Sequence, residues 1–209
     1  MGLPFKAYHM TQSQELKSTA RSKPDGRLLR SERSRQLIIE AIIELIDEGF
    51  LIPTAQQVAK RADVGIRSVF RHFDDMDDIF KTANEIIFQD TRPLFVGGDR
   101  SGTLDTRISN ATEQLTAGYA SVKNFMLSER VRRWNTPVIL KNYTLNRKRL
   151  QKELEDWIPE ILELTEDNKQ CAYALASFDF WFRLHEDQEV SQEACIDIMS
   201  RQLRALFSQ

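Results

Sequence analysis

Arg67, Ser68, Arg71 and His72 crowd into the end of the segment TAQQVAKRADVGIRSVFRHF, which runs from Thr54 to Phe73. On a helix these offsets place the side chains on neighbouring faces. A guanidinium fork there can pair bidentately with two acceptors on the edge of a guanine, while hydroxyl and imidazole groups can hold phosphate oxygens. The chemistry on offer is therefore recognition of a polyanion. Ingredients of catalysis are scattered by comparison: His9, His72 and His185 lie far apart in sequence and lack the close spacings of a zinc site. The run Gly97-Gly98-Asp99-Arg100-Ser101-Gly102 lacks the terminal Gly-Lys-Ser/Thr of a phosphate loop and any preceding strand, so it reads as a linker. No catalytic residue, metal site or cofactor is expected, and the chain does not read as an enzyme.

Those residues need elements to hold them. Thr54 follows Pro53 and can cap a helix whose apolar positions Ala55, Val58, Ala59 and Ala62 recur at helical spacing. Asp63-Val64-Gly65 interrupts it, with Gly65 permitting the turn. Ile66, Val69, Phe70 and Phe73 then form the inward stripe of a second short helix. The spacing alone suits a helix-turn-helix and an ordinary helical hairpin about equally.

Three further features separate the two. Arg71-His72-Phe73 ends the second helix, Phe70 stands three residues before Phe73, and the acidic run Asp74-Asp75-Met76-Asp77-Asp78-Ile79-Phe80 opens the next helix. Together with SERSRQLIIEAIIELIDEGF, from Ser31 to Phe50, they closely resemble the DNA-binding domain of the TetR family of transcriptional regulators over Arg30 to about Phe80. Members of that family usually carry glycine in the turn, a tyrosine in the recognition helix and a lysine shortly after it. This chain has Asp63, Phe70 and Met76 instead. Neither Phe70 nor Met76 can donate the phosphate hydrogen bond that the resemblance implies. Backbone grip must then come from Thr54, Arg67, Arg71, His72 and the amides at helix starts, and Asp63 could cap the second helix. The resulting DNA-contact set is Arg33, Thr54, Gln56, Gln57, Gly65, Ile66, Arg67, Ser68, Phe70, Arg71 and His72.

Composition agrees with this reading. The 209-residue chain carries a net charge of −2, yet residues 1 to 73 hold 12 Lys+Arg against 8 Asp+Glu, so the excess of acid lies in the remainder. Residues 1 to 29 form a basic arm with a Pro24-Asp25-Gly26 turn, which could follow phosphates or enter a minor groove. A helix-turn-helix domain over 30–74 and a helical effector-binding and dimerisation domain over 75–209 follow. Strand-like alternation is missing, so the class is all α, with helices at about 75–91, 104–127, 128–134, 137–156, 166–185 and 190–207. Cys171 and Cys195 are too few for a disulfide framework, and neither a membrane span nor an apolar signal core is evident. A cytoplasmic protein without membrane contact is expected.

The later segments suggest partners. Residues Phe178, Trp181 and Phe182, with Ile198, Met199 and Leu203 on the last helix, make both helices widely apolar, which suits a homodimer interface built on Phe178, Phe182, Ile198 and Leu203. Burial inside one subunit would explain the same pattern. Tyr119, Trp134, Tyr143, Phe178 and Trp181 are candidates to line an apolar pocket for a small-molecule effector, which the resemblance implies. Arg132-Arg133 and Arg147-Lys148-Arg149 read as solvated faces, with Arg133 or Arg147 turned inward toward a carboxylate as the alternative. Taken together with the residues, the resemblance implies a regulator binding a double-stranded DNA operator, expected to be a repressor released by a small apolar or amphipathic ligand. The alternative is a helical ligand-binding or interaction protein with a vestigial helix-turn-helix, motivated by Phe70 and Met76.

Overall fold

The computed structural model describes residues 26–134 and 137–208, and all regular structure among them is helical. The elements are α1 (Gly26–Asp47), α2 (Ala55–Arg61), α3 (Ile66–His72), α4 (Met76–Val96), α5 (Leu104–Arg132), α6 (Pro137–Trp157), α7 (Glu166–Leu175), α8 (Phe178–Phe182) and α9 (Gln192–Ala205). The all-α class holds, with an N-terminal helix-turn-helix followed by a larger helical region. Helix α1 already begins at Gly26, so residues 26–29 are helical, and the rest of the basic arm lies outside the described residues.

Contacts gather the chain into two units. One comprises the chain to Asp90 together with Val122–Tyr143, and the other Thr91–Ser121 with Thr144–Gln209. This grouping is interleaved, whereas the division into 30–74 and 75–209 is linear. Helices α4, α5 and α6 each contribute to both units. Their irregularities depart from the simple sequence pattern. Pro93 does not end α4, because it sits in the last turn, where the ring costs one ladder hydrogen bond and the chain closes with Gly97 N–H donating to the Pro93 carbonyl at 3.3 Å. The two helices expected at 104–127 and 128–134 are one, broken only by a kink at Val122 (φ −116°, ψ 17°). Conversely, the helix expected over 166–185 divides after Leu175, where Ser177 accepts from the Phe180 amide at 3.2 Å and starts α8 afresh.

In the first unit the core is an aliphatic seam from α1, namely Ile38, Ile39, Ala41, Ile42, Leu45 and Ile46, closed by Val58, Val69, Phe73 and Ile79. Their i, i+3, i+4 spacing is the ordinary signature of a helix with one buried face. In the second unit the core is aromatic. Tyr119, Trp157 and Trp181 are fully buried, and Tyr119 meets Phe95, Phe178 and Trp181 at centroid separations of 5.7 to 6.0 Å. Burying a phenol requires an acceptor, and the Tyr119 hydroxyl donates to the Ala176 carbonyl at 2.7 Å. Gly118 explains the approach of Phe95, since a β-carbon there would stand 2.6 Å from that ring.

Candidate nucleic-acid interface

The frame of the helix-turn-helix is fixed at the end of α1, where four carbonyls have no partner within the helix. Each of them finds one. The Glu48, Phe50 and Gly49 amides donate to the carbonyls of Glu44, Leu45 and Ile46 at 3.0, 2.9 and 2.9 Å, with Gly49 in the left-handed region at φ 96°. The fourth, Asp47, accepts from Asn124 Nδ2 of α5 at 2.7 Å, and Ser128 of the same helix donates to the Leu51 carbonyl at 2.6 Å. Sequence reasoning missed Asn124 and Ser128. Nothing local marks them, because their partners are main-chain groups 77 residues away.

Helix α2 is tied to this frame by Arg61, whose guanidinium is bidentate to Glu48 at 2.8 and 2.6 Å and also reaches Glu44 at 3.3 Å. Thr54 caps its start, as its sequence position suggests. The arrangement is a full capping box, in which the Thr54 hydroxyl accepts from the Gln57 amide at 3.3 Å while Gln57 Oε1 accepts from the Thr54 amide at 2.8 Å. That engages Gln57 inside the protein and leaves Gln56 as the exposed glutamine of the pair.

The turn is made differently from the sequence expectation. Gly65 has an ordinary φ of −70°, and it is Asp63 that enters the left-handed region, at φ 52°. Asp63 does not cap α3; Gly65 is the N-cap and supplies no side-chain hydrogen bond. Aspartate tolerates this conformation better than most residues, which is why the turn survives without glycine.

Helix α3 buries one narrow face. Val69 is fully buried and Phe73 nearly so, but Ile66 is 45% and Phe70 51% exposed, which corrects the four-residue inward stripe. Of its members only Val69 and Phe73, four residues apart, lie on the line that meets the core. The outward face thus presents Ile66, Arg67, Phe70 and Arg71, with Arg71 donating to the Ser68 hydroxyl at 2.8 Å. His72 is half-buried and its Nε2 has no partner; burial, with Arg71 and Arg35 nearby, pushes its pKa down and favours the neutral ring. Arg33 is exposed on α1, while Arg35 lies over the Phe73 ring at 4.8 Å. Exposed cations and apolar groups on one short helix suit docking on nucleic acid.

The arginines expected to be solvated divide. Arg132 is buried, paired with Asp77 at the start of α4, and its guanidinium lies 3.2 Å from the centroid of Phe80. Burial lowers its pKa while Asp77 raises it. Arg133 lies against Trp134 and Tyr143 at 4.6 and 4.4 Å, and Arg147 is exposed. Helical spacing could not reveal this for Arg132, because Phe80 and Asp77 come from a different helix.

The suggested pocket residues fall into separate groups. Tyr119, Phe178 and Trp181 form the packed cluster of the second unit, whereas Trp134 is 75% exposed and belongs with Tyr143 to the first. The first unit also holds a cavity of about 20 Å³, lined by Ile46, Phe80, Ile87, Phe125 and Arg132 among others, room for about one water. Of the four residues suggested for a dimer interface, Phe178 and Leu203 are buried within the chain itself, which leaves Phe182 and Ile198 half-buried at its surface. Wide apolar faces on α8 and α9 are covered largely by their own subunit. Among the described residues no cluster of metal-binding side chains occurs, and no helix is long and apolar enough to cross a membrane.

Residues 38–83, which span this arrangement from α1 to α4, match the family model for bacterial regulatory proteins of the tetR family. No curated protein matches the chain in sequence. Among solved structures it is similar to a transcriptional regulator from Rhodococcus sp. Rha1, at 16% identity over 84% of this chain and 95% of that one, with a TM-score of 0.61. A TetR-like transcriptional regulator from Rhodococcus sp. RHA1 is similar at 13% identity over 90% of this chain and 100% of that one, with a TM-score of 0.60. At such identities the likeness is one of fold. The match over residues 38–83 thus assigns a TetR-type DNA-binding helix-turn-helix to the N-terminal part of the chain, and the chain as a whole shares the fold of these solved regulators.

Proposed function

We propose that this chain is a TetR-family transcriptional regulator, a cytoplasmic, homodimeric repressor that binds a double-stranded operator through α3 and is released from it by a small apolar or amphipathic ligand. The observation that carries the DNA contact is the outward face of α3, where Arg67 and Arg71 stand exposed beside Ile66 and Phe70. Arg67 would read a base edge, while Arg33, Arg71 and Gln56 would hold phosphates. Thr54 and Gln57 act by setting the start of α2, and Ser68 by orienting Arg71. A dimer would set two copies of α3 at the separation of successive major-groove faces. Its interface would use Phe182 and Ile198.

The effector would act by population shift. A cavity of about 20 Å³ cannot hold a ligand whose usual pockets occupy roughly 300 Å³ or more. In this reading the ligand binds a state in which the Tyr119–Phe178–Trp181 cluster has opened, and it shifts the equilibrium only by its differential affinity for that state. Selecting duplexes from genomic fragments with the purified full-length chain tests the DNA reading. The expected result is a recurring, pseudo-palindromic sequence bound with steep salt dependence; failure to enrich any sequence would favour a helical interaction protein with a vestigial helix-turn-helix.

A further inference from the structure

Helix α3 has two exposed lanes. At about 100° per residue, Ile66 and Phe70 stand about 40° apart on the helix surface, with Arg67 and Arg71 forming the adjoining lane. The apolar lane is unusual for a surface that must meet water in the free protein: Ile66 is 45% and Phe70 51% exposed, although Val69 and Phe73 of the same segment are almost completely covered. Phe70 carries no hydroxyl, so it has nothing to offer a phosphate. The adjoining arginines fix the sign of the partner, since a face with two cations beside its apolar lane is complementary to a polyanion. In the major groove, the apolar feature that such a lane can meet is the 5-methyl group of thymine.

We propose that Ile66 and Phe70 form a thymine-reading lane, so that each half-site contains thymines recognised by contact with their 5-methyl groups. The inference rests on the DNA-binding role of α3 and adds a specificity to it. Phe70 supplies a ring face or edge against the methyl, Ile66 supplies an aliphatic contact one helical turn earlier, and Arg67 and Arg71 keep the helix seated. Selectivity then comes partly from apolar contact and is carried by groups that make no hydrogen bond. Such contacts do not involve counterion release, so they change affinity without changing the salt slope.

The test replaces thymines one at a time by deoxyuridine in a duplex selected by the full-length protein. This removes a single methyl group and leaves base pairing intact. At one or two thymines in each half-site, affinity of the unmodified protein should fall about fourfold, the factor equivalent to about 0.8 kcal/mol for one buried carbon. Phe70→Ala should bind the thymine duplex more weakly and lose sensitivity at one of those positions, with its circular dichroism unchanged because Phe70 is half-exposed. Ile66→Ala should lose sensitivity at a different position. The salt slope of either variant should match that of the unmodified protein. Sequence-specific binding indifferent to every methyl would overturn the lane while leaving the DNA-binding role standing. Full methyl sensitivity retained in both variants would overturn it as well. So would loss of self-association in Phe70→Ala without any effect on methyl sensitivity, since the lane would then cover a second copy of the chain. Failure to select any preferred duplex would instead count against the DNA-binding role itself.

Discussion

Replacing Arg132 by alanine should destabilise the first unit by about 2 to 3 kcal/mol, chiefly through lost packing. The side chain is 8% exposed, its guanidinium lies 3.2 Å from the centroid of Phe80, and its partner Asp77 is one-third exposed. A partly desolvated cation over an aromatic face contributes about 1 to 2 kcal/mol. Its covered methylene stem adds roughly 1 to 2 kcal/mol, and the ion pair to a hydrated carboxylate about 1 kcal/mol or less. Against these stands the buried Nε without a partner, whose removal returns about 1 to 2 kcal/mol. The cavity of about 20 Å³ already beside Arg132 would also enlarge. Urea unfolding followed by circular dichroism measures the difference, provided the denaturant slope stays constant. In a chain of this length the change corresponds to a fall in Tm of roughly 4 to 12 °C. Arg132→Met separates the contributions, because it keeps the stem and much of the volume while removing the charge; it should cost about 1 kcal/mol or less. An alanine variant within 0.5 kcal/mol of the parent, or a methionine variant as damaging as alanine, would refute the reasoning.

Four other outcomes are expected. Asp63→Gly should stabilise the protein by roughly 0.5 to 1 kcal/mol in thermal unfolding, because relief of the left-handed strain exceeds the added chain entropy, whereas Asp63→Val should destabilise it. Thr54→Ala should cost about 1 kcal/mol by removing the capping box and should weaken operator binding, measured by denaturation and gel shift in parallel. His72 titrates lower in the folded than in the unfolded chain, so the unfolded state takes up its proton first. Its contribution to stability is full above about pH 6.5, the ordinary histidine value, and is lost as pH falls toward the lowered value. His72→Gln should flatten that acid-side decline in urea midpoints. Ile198→Asp should yield a folded monomer by sedimentation, while Leu203→Asp, at a fully buried position, should yield unfolded chain.

The sequence exposed those features that repeat along the chain. Helical class, the buried seam of α1, the Thr54 cap and the cationic end of the recognition helix all follow from spacing and local residue chemistry. Features that depend on distant parts of the chain were hidden from it. Arg132 looks like a solvated arginine until Phe80 and Asp77 are beside it, and Asn124 becomes a helix cap only when α5 reaches the carbonyl of Asp47. Phe70 shows the converse error. Its apolar side chain at helical spacing suggests core, but only the line of Val69 and Phe73 is covered by the rest of the domain, so the ring remains half in water. Apolar richness likewise marked α8 and α9 without saying that Phe178 and Leu203 are buried by their own subunit.

The central claim is that α3 reads DNA, and Arg67 tests it most directly. Equilibrium binding of the full-length protein to its selected duplex, and to variants altered at each position, should be compared with that of Arg67→Ala across a range of salt. The expected result is a loss of about 1 to 3 kcal/mol confined to specific duplex, with relaxed preference at one position of each half-site and little change in binding to scrambled DNA. Equal affinity of both proteins for every duplex would contradict the claim.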